Sequence, residues 1–255
     1  MWVSRMERDT KWTRYLLLVG NEGIKDALPH TVPYSTKAFR SFLEKYGEVI
    51  VKREVGCRGY GMMKVTKKGE EQYILHYNRK RRTFGDLRLL IRQMEKRMQG
   101  RKYLVQEYID LASVDGRPFD LRVMVQRKAG EPWRVTGSYA KLAQKGWFNT
   151  NLATGGIVLP TRKALLLAGL KEKAPEVILD EIEGLAIKIA KQLDEKFKRQ
   201  TIWGMDMGLD KTGKVYLIEM NRAPGIKGFR KLNNPRVYTR IQSIIRHNRR
   251  KRKSA

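Results

Sequence analysis

The most informative stretch of the chain reads Trp203-Gly-Met-Asp-Met-Gly-Leu-Asp-Lys-Thr-Gly-Lys-Val-Tyr-Leu-Ile-Glu-Met-Asn221. Apolar residues alternate on both sides of a turn, and this alternation predicts an antiparallel β-hairpin. With residues 211–214 as a four-residue loop, Asp206 pairs with Glu219 and Asp210 pairs with Val215. The predicted core face then consists of Trp203, Met205, Met207, Leu209, Tyr216, Ile218 and Met220.

The opposite face of this hairpin carries oxygen ligands. It presents Asp206 beside Glu219, with Asn221 two residues further on, and Gly204 and Gly208 leave space around them. Carboxylate and amide oxygens are the ligands that Mg²⁺ prefers when phosphate oxygens complete its coordination. The pattern therefore predicts a magnesium site, and the alternative is a solvated hairpin face on which such residues are ordinary.

A second candidate site follows the strand-like segment 48–53. Lys52 lies near the end of this segment, and a turn containing Gly56, Gly59 and Gly61 comes next. Glycines permit positive φ and let backbone N–H groups approach a phosphate, and a lysine adds a point charge. The alternative is a plain hairpin turn, and the Gly-Lys-Ser/Thr of a Walker loop is absent.

A third candidate site contains Asp120 and Arg122, which alternation places on one face of a strand. The two residues could form a simple ion pair. Alternatively, the guanidinium of Arg122 is suited to holding a phosphoryl group through two hydrogen bonds. Asn151, with Gly155 and Gly156, would shape the wall of the same pocket.

The rest of the chain alternates between helix and strand patterns. A helix is predicted at 35–47 between Ser35 and Gly47, a second up to residue 98 after a capping box of Thr83 and Asp86, and a third at 175–197. Strands are predicted at 48–53, 62–65, 72–77, 103–109, 119–126 and 133–141, whereas residues 1–34 are interpreted as irregular. Hairpins mixed with helices predict an α+β fold in which antiparallel sheet is prominent.

The chain is strongly basic, with 54 Lys and Arg against 26 Asp and Glu and a net charge of +28. This charge predicts attraction to polyanions, including non-specific binding. A single cysteine and three scattered histidines exclude an internal disulfide framework and argue against zinc. We recognise no transmembrane segment and no signal peptide, which predicts a cytoplasmic protein that is not secreted. The basic stretch 246–255 predicts a disordered tail.

Taken in order, these segments resemble the ATP-grasp superfamily. The resemblance rests on Val51-Lys52 with the glycine-rich loop, Val105-Gln-Glu-Tyr-Ile109, Asp120-Leu-Arg122, Asn149-Thr-Asn-Leu-Ala-Thr-Gly-Gly156, Asp206 and Glu219-Met-Asn221. Within the superfamily, the stretches 117–123 and 151–156 resemble the YheC/YheD family of endospore coat-associated proteins.

The resemblance implies an ATP-grasp fold in which two α+β subdomains clamp ATP. Residues 35–110 would form the lid subdomain with its glycine-rich loop and hinge strand, and residues 111–240 the C-terminal subdomain with the magnesium site. Residues 1–34 would be a short lead-in that replaces most of the pre-grasp domain of the superfamily, and residues 241–255 a basic disordered tail.

The resemblance also implies ATP and Mg²⁺ as cofactors, with Mn²⁺ as an alternative metal. Asp206, Glu219 and Asn221 would hold the metal, and Arg122 and Lys52 would be catalytic. The implied nucleotide-binding residues are Lys52, Gly56, Gly59, Gly61, Gln106, Glu107, Ile109, Asp120 and Asn151.

The implied activity is ligation of a carboxylate to an amine through an acyl phosphate. An acidic peptide or polymer would be the acceptor, spore-coat proteins would be further partners, and the mother cell would be the location. Two alternatives stay open. One is a catalytically inactive ATP-grasp protein of spore-coat structure or assembly, and the other is a nucleic-acid-binding module, for which we recognise no known motif.

Overall fold

The computed structural model describes residues 9–56 and 60–253, which form two lobes, each built on an antiparallel sheet with its own apolar core. The predicted α+β fold with prominent antiparallel sheet is therefore confirmed. Within the described ranges, no helix is long and apolar enough to cross a membrane.

The first lobe covers residues 31–107. Its elements are β1 (Thr31–Pro33), α2 (Thr36–Tyr46), β2 (Glu48–Arg53), β3 (Met63–Lys68), β4 (Gln72–Tyr77), β5 (Lys80–Phe84), α3 (Leu87–Met98) and β6 (Tyr103–Glu107). The strand order is β1-β6-β2-β3-β4-β5, so β2 and β6 lie side by side within the sheet. The ends of these two neighbouring strands supply the residues of the first lobe that matter for the site.

The second lobe covers residues 9–28 and 111–253. Its elements are α1 (Lys11–Val19), β7 (Ser113–Val114), β8 (Arg117–Gln126), β9 (Arg134–Leu142), β10 (Ile157–Leu159), α4 (Thr161–Ala168), α5 (Pro175–Leu193), β11 (Ile202–Leu209), β12 (Val215–Asn221) and α6 (Pro235–Lys253). The strand order is β10-β9-β8-β11-β12, with β7 paired to β8. Helix α5 packs across this sheet.

Local sequence signals correctly predicted the ends of helix α2. Ser35 caps α2 by accepting a hydrogen bond from the backbone N–H of Ala38, and Gly47 ends this helix with φ of 68°. The predicted capping box before α3 is wrong, because Thr83 lies in β5 and Asp86 is itself the cap, accepting from the N–H of Arg88 at 2.7 Å.

The interpretation of residues 1–34 as irregular is wrong for the described part of that segment. Thr10 and Thr13 form a reciprocal capping box at the start of α1, which satisfies backbone donors at the helix end. Leu18 and Ile24 are buried in the core of the second lobe. The segment was misinterpreted because its charged residues obscure this apolar face.

The predicted disordered tail is also wrong as far as residue 253, because α6 continues to Lys253. Ile241 and Ile244 are buried against the sheet. The buried Asn248 donates to the carbonyl of Arg127 and accepts from the N–H of Ala129, both at 2.9 Å. A few buried side chains thus hold a helix that also carries several exposed basic residues.

The hairpin β11–β12 has the predicted pairing of Asp206 with Glu219 but not that of Asp210 with Val215. Val215 instead pairs with Leu209, because a β-bulge at Ile218 adds one residue to β12. The bulge turns Tyr216 and Ile218 away from the core face, which is filled on β12 by Val215, Leu217 and Met220. The predicted core positions of Tyr216 and Ile218 are therefore wrong.

Candidate active site

A cleft lies between the two sheets, and most of the predicted site residues line it. The predicted residues on its wall are Lys52, Gln106, Glu107, Ile109, Asp120, Asn151, Asp206 and Glu219. Apolar side chains including Ile50, Leu111, Phe148 and Ile218 complete the wall. A mixed wall of this kind suits a ligand with a flat apolar part and a charged part.

Lys52 is a buried cation at the end of β2, with 6% of its surface exposed. Its Nζ donates to Oε1 of Gln106 at 2.8 Å and to the carbonyl of the bulged residue Ile218 at 3.2 Å. Burial lowers the pKa of Lys52 to about 8; Glu219 opposes this shift, and Lys11 adds to it. The lysine thus connects the two lobes, and a nearby anion would stabilise its charged form.

Four charged side chains form a buried network on the floor of the cleft. Nε and Nη2 of Arg122 donate to the two oxygens of Asp206 at 2.7 and 3.2 Å. Nζ of Lys141 lies 3.0 Å from Asp206 and 3.1 Å from Asp120. The four groups lie on three adjacent strands of the second sheet, β9, β8 and β11, so the strand pairing itself fixes the network.

The network sets the charge state of its members. Burial alone would raise the pKa of Asp206. The attraction of Arg122 and Lys141 for the carboxylate is stronger than this effect and lowers the pKa to about 2. Burial raises the pKa of Asp120 against the attraction of Lys141. The pKa of Lys141 is raised because the two carboxylates outweigh its burial. Asp206 is therefore a carboxylate at neutral pH, as a metal ligand must be.

The predicted metal ligands lie together at one end of β11 and β12. Asp206 faces Glu219 across the hairpin, and Asn221 lies opposite Gly204. In the described part of the chain no group of three His, Cys, Asp or Glu side chains could hold a metal ion. Two carboxylates and one amide fit Mg²⁺ only if other oxygens complete its coordination, as the phosphates of a nucleotide do.

The structure adds two site residues that the sequence analysis missed. Nζ of Lys11 donates to the carbonyl of Gly56 at 2.7 Å and lies 3.7 Å from Oε1 of Glu219. Arg14, one turn further along α1, donates to the carbonyl of Met220. Helix α1 therefore closes one end of the cleft. This role is not predicted when residues 1–34 are interpreted as irregular.

The glycine-rich loop is described at both ends, whereas Gly59 lies outside the described residues. Gly61 has φ of 76°, and a Cβ at this position would lie 2.7 Å from Nε of Arg53. The positive φ favours glycine here, and a larger residue would also have to displace the Arg53 side chain. A contact between this loop and phosphate stays a prediction.

Strand β6 reaches the cleft with Gln106 and Glu107. Oε2 of Glu107 accepts from the backbone N–H of His30 at 3.2 Å. Nε2 of Gln106 donates to Oγ1 of Thr31 at 2.7 Å, so this amide is fixed with Oε1 toward Lys52. The implied binding of the nucleotide by Glu107 is not tested by these bonds and stays a prediction.

The segment that follows β9 connects the lobes above the cleft. Oδ1 of Asn151 accepts from the N–H of Ala153 at 3.0 Å, so this side chain caps a short 3-10 helix. The ring of Phe148 packs edge-on against His76 of the first lobe, with centroids 4.7 Å apart. Burial lowers the pKa of His76 to about 4, so this contact is uncharged at neutral pH.

Solved structures with similar folds are ATP-grasp enzymes. The ATP-grasp ligase PsnB, complexed with its precursor peptide PsnA2 and AMPPNP, matches 96% of this chain and 61% of its own with a TM-score of 0.55 and 16% identity. D-alanyl-alanine synthetase A from Vibrio cholerae matches 93% of this chain and 63% of its own, with a TM-score of 0.56 and 14% identity. The fold is therefore that of the ATP-grasp superfamily.

Residues 5–247 match the family described as YheC/D like ATP-grasp, and the chain belongs to this family. The endospore coat-associated proteins YheC and YheD of Bacillus subtilis are both 25% identical to it, over 221 and 231 residues. Those matches cover 85% and 84% of this chain but 60% and 48% of the two relatives. Coenzyme gamma-F420-2:alpha-L-glutamate ligase of Methanococcus maripaludis is 30% identical over 142 residues, 56% of this chain and 40% of that protein.

Proposed function

We propose that this protein is a Mg²⁺-dependent ligase that uses ATP to join a carboxylate to an amine. The observation that carries the proposal is the meeting, in one cleft between two lobes, of a buried lysine, an Arg122–Asp206 pair and a second carboxylate, Glu219. These groups are what phosphoryl transfer needs, namely cations for the phosphates and oxygen ligands for a metal. A ligase among the relatives supports the same activity.

In the proposed reaction, a carboxylate oxygen of the substrate attacks the γ-phosphorus of ATP, and ADP leaves with the electrons of the broken P–O bond. The nitrogen of an amine then attacks the acyl carbon, the acyl C–O bond breaks, and inorganic phosphate leaves while the nitrogen loses a proton. Mg²⁺, or Mn²⁺ in its place, would neutralise phosphate charge when held by Asp206, Glu219 and Asn221.

The side chains of the cleft would mainly bind and orient the nucleotide. Lys52 and Lys11 would contact phosphate oxygens from the two sides of the glycine-rich loop. Arg122 would stabilise the charge on the transferred phosphoryl group, with Lys141 holding Asp206 in place. The apolar wall around Ile109 would hold the adenine.

The substrate and the location are part of the same proposal. The ligase PsnB is complexed with a precursor peptide in its solved structure, and both curated relatives from Bacillus subtilis are described as endospore coat-associated. We therefore propose an acidic peptide or polymer as the acceptor and the mother cell or the spore coat as the location, with coat proteins as partners.

The test is thermal unfolding with ATP, with and without Mg²⁺, at fixed ionic strength. Saturating MgATP is expected to raise the Tm of the wild type by about 5 °C or more, because it binds only the folded state. Glu219→Gln and Asp206→Asn are expected to lose the magnesium-dependent part of the shift. Glu219 has a partly exposed side chain, so its variant should fold normally.

If MgATP stabilises the wild type, acidic peptides are then screened for the release of ADP. No shift in the wild type would contradict the proposed function and would favour an inactive ATP-grasp protein of the coat. A shift without ADP release from any acidic acceptor would contradict the proposed acceptor class.

A further inference from the structure

A wide groove runs beside the C-terminal helix α6, outside the nucleotide cleft. We call it the basic groove, and its charged lining consists of Arg127, Lys196, Lys198, Arg199, Arg222 and Lys251, with Asp9 as the acidic residue among the described lining. Its volume of about 1400 Å³ exceeds that of a pocket for one small molecule. A groove with this size and charge fits a polyanionic chain.

The basic groove has a rigid base and free charges at its rim. Arg127 is fixed by two hydrogen bonds to Asp194, at 2.8 and 2.9 Å, and shapes the floor. Lys196 and Lys198 follow α5, and no described residue forms an ion pair with either of them. Their charges are therefore available to a partner.

One end of the basic groove adjoins the proposed metal ligands. Arg222 directly follows Asn221, and its Nη1 lies 3.2 Å from Oδ2 of Asp9. Oδ1 of Asp9 accepts from Nε of Arg14 at 2.6 Å, and Arg14 donates to the carbonyl of Met220. Asp9 and Arg14 thus link this end of the basic groove to β12, the strand that carries Glu219.

The lining favours carboxylates over nucleobases. Phe197 is the aromatic residue among the described lining, and only 8% of it is exposed. The guanidinium of Arg222 lies over its ring at 4.5 Å from the centroid. Single-stranded nucleic acids gain much of their affinity from stacking on exposed aromatic rings, which this groove does not offer.

We propose that the basic groove docks an acidic peptide segment of the acceptor and leads its reactive carboxylate toward the nucleotide cleft. The proposal rests on the proposed ligase function and adds the surface that selects the substrate. Docking through many weak charge contacts outside the cleft would allow peptides of varied sequence to be bound.

The experiment measures the affinity of fluorescent decaglutamate by anisotropy. The triple variant Lys196→Glu, Lys198→Glu, Lys251→Glu is expected to weaken binding by about tenfold or more, because three weak attractions become repulsions. The matched control is Arg79→Glu, Lys80→Glu, Arg92→Glu, which reverses the same number of charges at exposed positions of the first lobe. It is expected to weaken binding less than about threefold.

Equal weakening by both triple variants would overturn the proposal, because only net charge would then matter. Decathymidylate that binds as tightly as decaglutamate and competes with it would also overturn it in favour of nucleic acid. Stabilisation by MgATP is measured on the same variants and is expected to be unchanged. If MgATP fails to stabilise the wild type while the two triple variants still differ, the ligase function fails and the docking surface stands.

Discussion

Arg122 on β8 and Asp206 on β11 are direct partners in the strand register and form a two-pronged ion pair in the floor of the cleft. Lys141 and Asp120 complete the network, so two cations and two carboxylates balance one another. A balanced, buried network has little attraction for an additional bare cation.

The first prediction follows from this balance. Mg²⁺ at millimolar concentration is expected to leave the Tm of the protein unchanged when no nucleotide is added, because Arg122 and Lys141 offset the charge of Asp206. Mg²⁺ added together with ATP is expected to raise it, since the phosphates bring the missing negative charge. Scanning calorimetry with Mg²⁺, ATP and both will distinguish the cases, and stabilisation by Mg²⁺ alone would refute the prediction.

The second prediction concerns the energy of the Arg122–Asp206 pair. Asp206→Asn and Arg122→Gln are each expected to lower the free energy of unfolding by about 3 kcal/mol, because each leaves a buried charge without its partner. The double variant is expected to lose less than the sum by at least about 1 kcal/mol. Urea unfolding of the four proteins gives this coupling energy.

The control for this cycle is the exposed pair of Arg162 and Glu176, whose atoms lie 2.9 Å apart with more than half of each side chain exposed. Its coupling energy is expected to be below about 0.5 kcal/mol. Similar coupling energies for the buried and the exposed pair would show that burial does not strengthen the Arg122–Asp206 interaction.

The sequence predicted which residues meet in the cleft better than it predicted the chain around it. Asp206, Glu219 and Lys52 were found because strand alternation and a glycine-rich turn are local signals. Lys11 was not found, because its role depends on contacts with Gly56 and Glu219, which are far away in sequence. The bulge at Ile218 also escaped, since no glycine or other local signal marks it.

The third prediction concerns pH. The pKa of Lys52 is lowered from 10.5 to about 8 in the folded protein, so between these values the folded state holds fewer protons than the unfolded state. The free energy of unfolding should therefore rise with pH in this window, by up to about 1.4 kcal/mol per pH unit. Below pH 8 the cost of the buried charge is fully present.

Lys52→Met removes the titrating group and serves to isolate its contribution. The difference in unfolding free energy between wild type and variant is measured by urea unfolding at pH 7.5, 8.5 and 9.5. It is expected to shift in favour of the wild type as the pH rises. A difference that stays constant across this range would show that Lys52 has an ordinary pKa.

The fourth prediction concerns the C-terminal helix. Asn248→Ala is expected to destabilise the protein by about 2 kcal/mol, because it leaves the carbonyl of Arg127 and the N–H of Ala129 without their partners. Arg249→Ala, one residue along on the exposed face, should change stability by less than about 0.5 kcal/mol. Chemical unfolding compares the two, and equal effects would mean that the helix is not anchored through Asn248.

The bulge in β12 has a consequence for comparing this chain with its relatives. Because Ile218 is an extra residue, buried side chains occupy odd positions up to Leu217 and an even position at Met220. Deleting any one residue between Val215 and Glu219 would restore simple alternation, with Glu219 still paired with Asp206 and Met220 still on the core face. A relative that is one residue shorter in this strand can therefore present the equivalent of Glu219 at the same place in the cleft, and the one-residue gap in an alignment belongs between Val215 and Glu219.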